Sequence, residues 1–138
     1  MRSIYAWGTL FFLSTSIALI IKFRLFPIND VTNVVVLEQK KDIGHVPYGS
    51  DAHAEFHLIN QGPSPLKVDE IDTDCGCTVV DWPREVTAIG DTLRVEVKYD
   101  KTHQPGFFRQ LIQVHANIPE KIKVLVFSGT VDHNRPEP

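Results

Sequence analysis

The chain has 138 residues and a formal net charge of −3 at pH 7. That charge is unevenly spread: residues 1–26 contain no acid, whereas residues 27–138 hold 11 Lys and Arg against 17 Asp and Glu, a balance of −6. Such a domain lacks the clustered Lys and Arg that phosphate contacts need, which excludes a nucleic-acid binder, and its 112 residues suit one domain.

The first element is an apolar run. Ile4 to Ile21 are 18 consecutive uncharged residues, flanked by Arg2 on one side and by Lys22 and Arg24 on the other. A membrane-spanning helix needs about 20 apolar residues, and Phe23, Leu25 and Phe26 extend the stretch while Lys22 and Arg24 reach the headgroups. The rival reading is a cleaved secretory signal, but its apolar region runs only about 7–15 residues before a small-x-small site. The sequence therefore predicts an uncleaved anchor over residues 1–26. Arg2 and the amino terminus oppose Lys22 and Arg24, so the positive-inside rule does not decide orientation. No Cys lies near the anchor to take a lipid.

Residues 27–33 read as a linker and residues 34–132 as one domain, followed by a polar, Pro-rich tail over 133–138 expected to be disordered. Val34 to Leu37 is a β-branched run and a first strand. Gly44 and Pro47-Tyr48-Gly49 mark turns. From Ala52 to Asn60 the pattern alternates, with Ala54, Phe56 and Leu58 on one face and His53, Glu55 and His57 on the other. Strands are expected at Leu66–Thr73 and Thr78–Val80. Thr92–Tyr99 alternates cleanly, placing Leu93, Val95, Val97 and Tyr99 inward. Phe108–Ala116 and Ile122–Val131 form a pair joined through Asn117-Ile118-Pro119-Glu120. Val124 to Phe127 is apolar at every position and is expected to be central and covered on both faces. No sustained helical period occurs in the domain. About seven short strands with regular turns predict an all-β antiparallel sandwich.

Asp74-Cys75-Gly76-Cys77-Thr78 is the one local motif with possible chemistry. Two thiolates could grip a soft ion such as Cu(I) or supply half of a zinc site, yet none of the six His shows ligand spacing to the pair. A Cys75–Cys77 disulfide would close a tiny loop and remove little chain entropy, as expected of a labile redox site. The neighbouring Asp69, Glu70, Asp72, Asp74 and Asp81 weigh against a reactive thiolate. If the strand ran on through the motif, both Cys would share the core-facing parity and act as small hydrophobes. The residues favour this third reading.

Other candidates concern contact. His53-x-Glu55-x-His57 lies on one strand face, its two His about 13 Å apart, where it could meet a partner. Phe107-Phe108 follows a turn, so one ring faces outward, which makes Phe107 a partner-contact candidate. No nucleophile–base order or phosphate-binding loop stands out. No enzyme activity and no cofactor is implied.

Taken together, Gly44…Gly49, Phe56-x-x-x-Asn60-x-Gly62, Pro65-Leu66, Asp74-Cys75-Gly76-Cys77-Thr78, Trp82, Gly90, Val97-x-Tyr99-Asp100, Gly106-Phe107 and Gly129 resemble a bacterial family known only as "domain of unknown function 1573", over about residues 34–131. The resemblance implies an immunoglobulin-like sandwich lying outside the cytoplasm, behind a signal peptide or membrane anchor. It implies no activity. The chain departs from the family at Gln61, where Thr is frequent, and at Asp74, where Ser is frequent. The expectation is a single-pass bacterial membrane protein whose periplasmic sandwich meets a protein partner. The alternative is a periplasmic thiol-redox or copper-handling module using Cys75 and Cys77.

Overall fold

The computed structural model describes residues 30–133. The expected anchor, with its flanking Arg2, Lys22 and Arg24, and all but the first residue of the tail lie outside the described residues. Among the described residues no helix is long and apolar enough to cross a membrane.

Eight strands follow one another: β1 (Asn33–Val36), β2 (Lys40–Val46), β3 (Ala52–Gly62), β4 (Val68–Thr73), β5 (Thr78–Asp81), β6 (Thr92–Tyr99), β7 (Gly106–Ala116) and β8 (Ile122–Val131). They form two four-stranded sheets, ordered β1-β3-β6-β5 and β2-β8-β7-β4. The sandwich is therefore as expected, with one correction: β2 runs parallel to β8, so the fold is not wholly antiparallel. A second correction is β2 itself, which was expected only as turns around Gly44. Gly44 adopts φ +70° within the strand, where the register shifts between Asp42 and His45; a glycine takes that conformation at little steric cost.

Alternation builds the core. Phe56 and Leu58 of β3 and Val95 and Val97 of β6 are buried on the inner face of the first sheet, and Ile112, Val114, Leu125 and Phe127 on that of the second. The Tyr99 and Phe108 rings stack at 4.1 Å across the gap. Gly129 makes this possible: a Cβ there would stand 2.9 Å from both Ile43 Cγ1 and Phe108 Cζ. Lys41 of β2 also crosses between sheets, donating from Nζ to the Glu55 carbonyl at 2.8 Å. β8 is central, as expected, but its outer face is open at Val124 rather than covered.

The expected linker is shorter on its folded side. Thr32 is fully buried, and its hydroxyl donates to Asn60 Oδ1 at 2.6 Å. The starts of β1, β4, β6 and β8 and the ends of β3 and β7 gather where the chain enters the domain. The Cys-Gly-Cys loop and the β6–β7 turn lie at the opposite end.

Candidate functional site

The strand does not continue through the Cys-Gly-Cys motif, which corrects the parity argument. β4 stops at Thr73, whose hydroxyl donates to the Cys75 carbonyl at 2.9 Å. Asp74 leaves the ladder by clamping β7 from both sides: its backbone N–H donates to the Leu111 carbonyl, and its carboxylate accepts the Leu111 N–H, both at 3.3 Å. The chain rejoins a sheet at Thr78, so residues 74–77 cross from one sheet to the other.

Cys75 and Cys77 are joined as a disulfide, their Cα atoms 5.3 Å apart. The two sulfurs differ in environment. Cys77 is buried in the core, whereas Cys75 is half-buried. The Cys77 N–H points at Cys75 Sγ at 3.2 Å, and the Thr78 hydroxyl lies 4.0 Å from it. A disulfide sulfur is no thiolate, so in this form the pair supplies no soft-metal ligands. Among the described residues no group of three or more His, Cys, Asp and Glu side chains could hold a metal ion.

Gln110 is the site residue that sequence reasoning missed. Its Oε1 lies 3.2 Å from Cys75 Sγ, and its side chain is buried. The signal was available: along β7, Phe108, Gln110, Ile112 and Val114 share the inward parity, so Gln110 interrupts an apolar face. A buried amide without partners is costly, which makes its one hydrogen-bond contact, to the sulfur, informative.

The contact candidates do not come together. Phe107 is 67% exposed on the outer face of the second sheet, while Phe108 points into the core. Leu111 of β7 and Ile122 and Val124 of β8 are exposed on the same face. His53 and His57 stand on the outer face of the other sheet. His53 lines a shallow groove with Asp51, Glu55, Glu96 and Lys98, and His57 Nε2 pairs with Glu55. Glu55 faces Glu96 directly across β3 and β6, a like-charge pairing that Arg94, 3.8 Å from Glu55, offsets in part. Beside this row, the Arg84 guanidinium lies on the Trp82 ring at 3.4 Å.

Two packed sheets with a loop disulfide and no converging set of titratable groups define a β-sandwich module of the PapD-like kind. The chain belongs to the family described as "Protein of unknown function (DUF1573)", whose model matches residues 34–131. No curated protein matches it. Among solved structures it is similar to a protein of unknown function from Porphyromonas gingivalis W83, at 15% identity and a TM-score of 0.66 over 78% of this chain. The chain spans 50% of that protein. It is also similar to the ASH / PapD-like domain 7 of human CEP192, at 10% identity and a TM-score of 0.63, covering 80% of this chain and 92% of that one. A third similarity, at 13% identity and a TM-score of 0.57, is to the Vibrio cholerae VesB protease, over 80% of this chain and 35% of that one. At these identities the likeness concerns the fold alone.

Proposed function

We propose that this protein is a non-catalytic contact module, held at a bacterial membrane by residues 1–26, with its sandwich on the extracytoplasmic side and a protein as its partner. The observation that carries this reading is the open outer face of the second sheet, where Phe107 leads an apolar row with Leu111, Val124 and Ile122. Exposed apolar patches of this kind mark interaction sites, and aromatic anchors dominate interface energetics. The apolar run from Ile4 to Ile21 supports the tether, and the family resemblance supports the location.

The test is photo-crosslinking of the full chain in its native membrane, with a benzophenone residue at position 107 or, on the opposite sheet, at position 53. A discrete protein adduct from 107 and none from 53 is expected. Adducts from neither position, or equally from both, overturn the assignment of this face.

A second reading has its own observation, the bonded Cys75–Cys77 pair with its half-buried outer sulfur. It makes the loop a thiol–disulfide couple facing an extracytoplasmic thiol. Titration of the native protein with reduced and oxidised glutathione tests it. A pair that resists reduction until the domain unfolds is structural.

A further inference from the structure

Away from the sheet faces, exposed aliphatic side chains gather at the end where the chain enters the domain. Residue 31 is fixed by its neighbours: the Asp30 carbonyl accepts a hydrogen bond from Asn117 Nδ2, and the Thr32 N–H donates to the Asn117 carbonyl at 2.8 Å. Val31 is nevertheless 43% exposed. Leu66 and Thr87 exchange two backbone hydrogen bonds of 2.9 Å, which hold Val86, 60% exposed, in a groove it shares with Asp30, Pro65 and Asn117. Ile89, 56% exposed, packs over Gly62, which is paired with Asn33 at the start of β1. Three aliphatic side chains thus sit on one end of the sandwich on hydrogen-bonded backbone, so fraying does not explain their exposure.

Six residues separate Arg24 from Asp30, a reach of at most about 22 Å for an extended chain. On the anchor reading above, on which this inference rests, the short tether keeps this end beside the headgroup layer. The groove's cation, Lys67, is paired with Asp69 at 2.9 Å, and Asp30 lies in the same groove, so nothing there favours anionic lipid.

We propose that Val31, Val86 and Ile89 rest in the interface of the bilayer that holds the apolar segment, against zwitterionic phospholipid. β-branched side chains at this depth bury apolar area without placing a charge in the acyl region. The sandwich then stands end-on. Phe107 is nine residues along β7 from Ala116, so at about 3.3 Å per residue the Cys pair and Phe107 face away from the membrane by roughly 30 Å.

The full chain, reconstituted in phosphatidylcholine vesicles with a benzophenone residue at position 86 or, separately, at 89, tests this. Both sites are exposed, so neither replacement disturbs the core, and position 107 is the control. Flotation with the vesicles and a phospholipid-mass adduct from 86 or 89, absent from 107, support the proposal. Flotation with no lipid adduct, or with an adduct to a second copy of the chain, overturns it while leaving the anchor intact. A chain that does not float overturns the anchor reading and this inference together.

Discussion

Gln110 places its side-chain carbonyl 3.2 Å from Cys75 Sγ, a contact whose value differs between the two redox states of the loop. A thiol has a proton to donate to Oε1, whereas a disulfide sulfur has none. With the amide turned the other way, its N–H would favour a thiolate over a disulfide. Either orientation favours the reduced pair.

Gln110→Leu is therefore expected to shift the couple toward the disulfide. The reaction is the Cys75–Cys77 disulfide plus two glutathione thiols giving two protein thiols plus glutathione disulfide. One neutral hydrogen bond contributes about 1 kcal/mol, or roughly fivefold in the equilibrium constant. Mass spectrometry of alkylated samples across a glutathione series reads the shift. An unchanged equilibrium in a folded variant would show that Gln110 serves packing alone.

Asn60 should be the most sensitive polar position. It is fully buried and makes four hydrogen bonds: it accepts from the Thr32 hydroxyl and the Gly62 N–H and donates to the Ser64 and Thr87 carbonyls. Asn60→Ala strips partners from several groups at once and is expected to cost about 3 kcal/mol. Urea unfolding measures it, and a loss below about 1 kcal/mol would mean that water replaces the side chain.

Gly129→Ala tests the close approach of the sheets. The added methyl would meet Ile43 and the Phe108 ring at 2.9 Å, and overpacking of this kind costs about 1–3 kcal/mol. A neutral result would mean that the Tyr99–Phe108 stack shifts freely.

Tyr99 sets an alkaline limit. Burial pushes its phenol above the ordinary value of 10.0. A pKa raised in the folded state means that the unfolded chain ionises first as pH climbs, so the stabilisation is complete below about pH 10. It is lost as pH rises through the folded value. Tyr99→Phe keeps the ring stack and should flatten the fall in stability above pH 10. Chemical denaturation at several alkaline pH values checks this; parallel curves for the two proteins would contradict it.

The strands that announced themselves were those with one apolar face, and β6 is the clearest: Leu93, Val95, Val97 and Tyr99 point inward as their spacing dictates. β2 was hidden because Lys40-Lys41-Asp42-Ile43-Gly44-His45 has no such alternation and is a strand only through its parallel pairing with β8. The Cys loop misled for a local reason: strand parity says nothing once Asp74 spends its side chain on the Leu111 N–H. Phe107 was legible as an outward ring, but its separation from His53 and His57 onto opposite sheets depends on a topology that no pairwise spacing contains.

The central claim is that this protein works by contact through its open sheet face and not through its sulfurs. The most direct measurement is the position-107 crosslink in native membranes for the chain carrying both Cys75→Ser and Cys77→Ser, with folding checked by circular dichroism. The account predicts that the same adduct forms with undiminished yield. Loss of the adduct from a folded double variant would contradict it and make the Cys75–Cys77 couple the working part of the molecule.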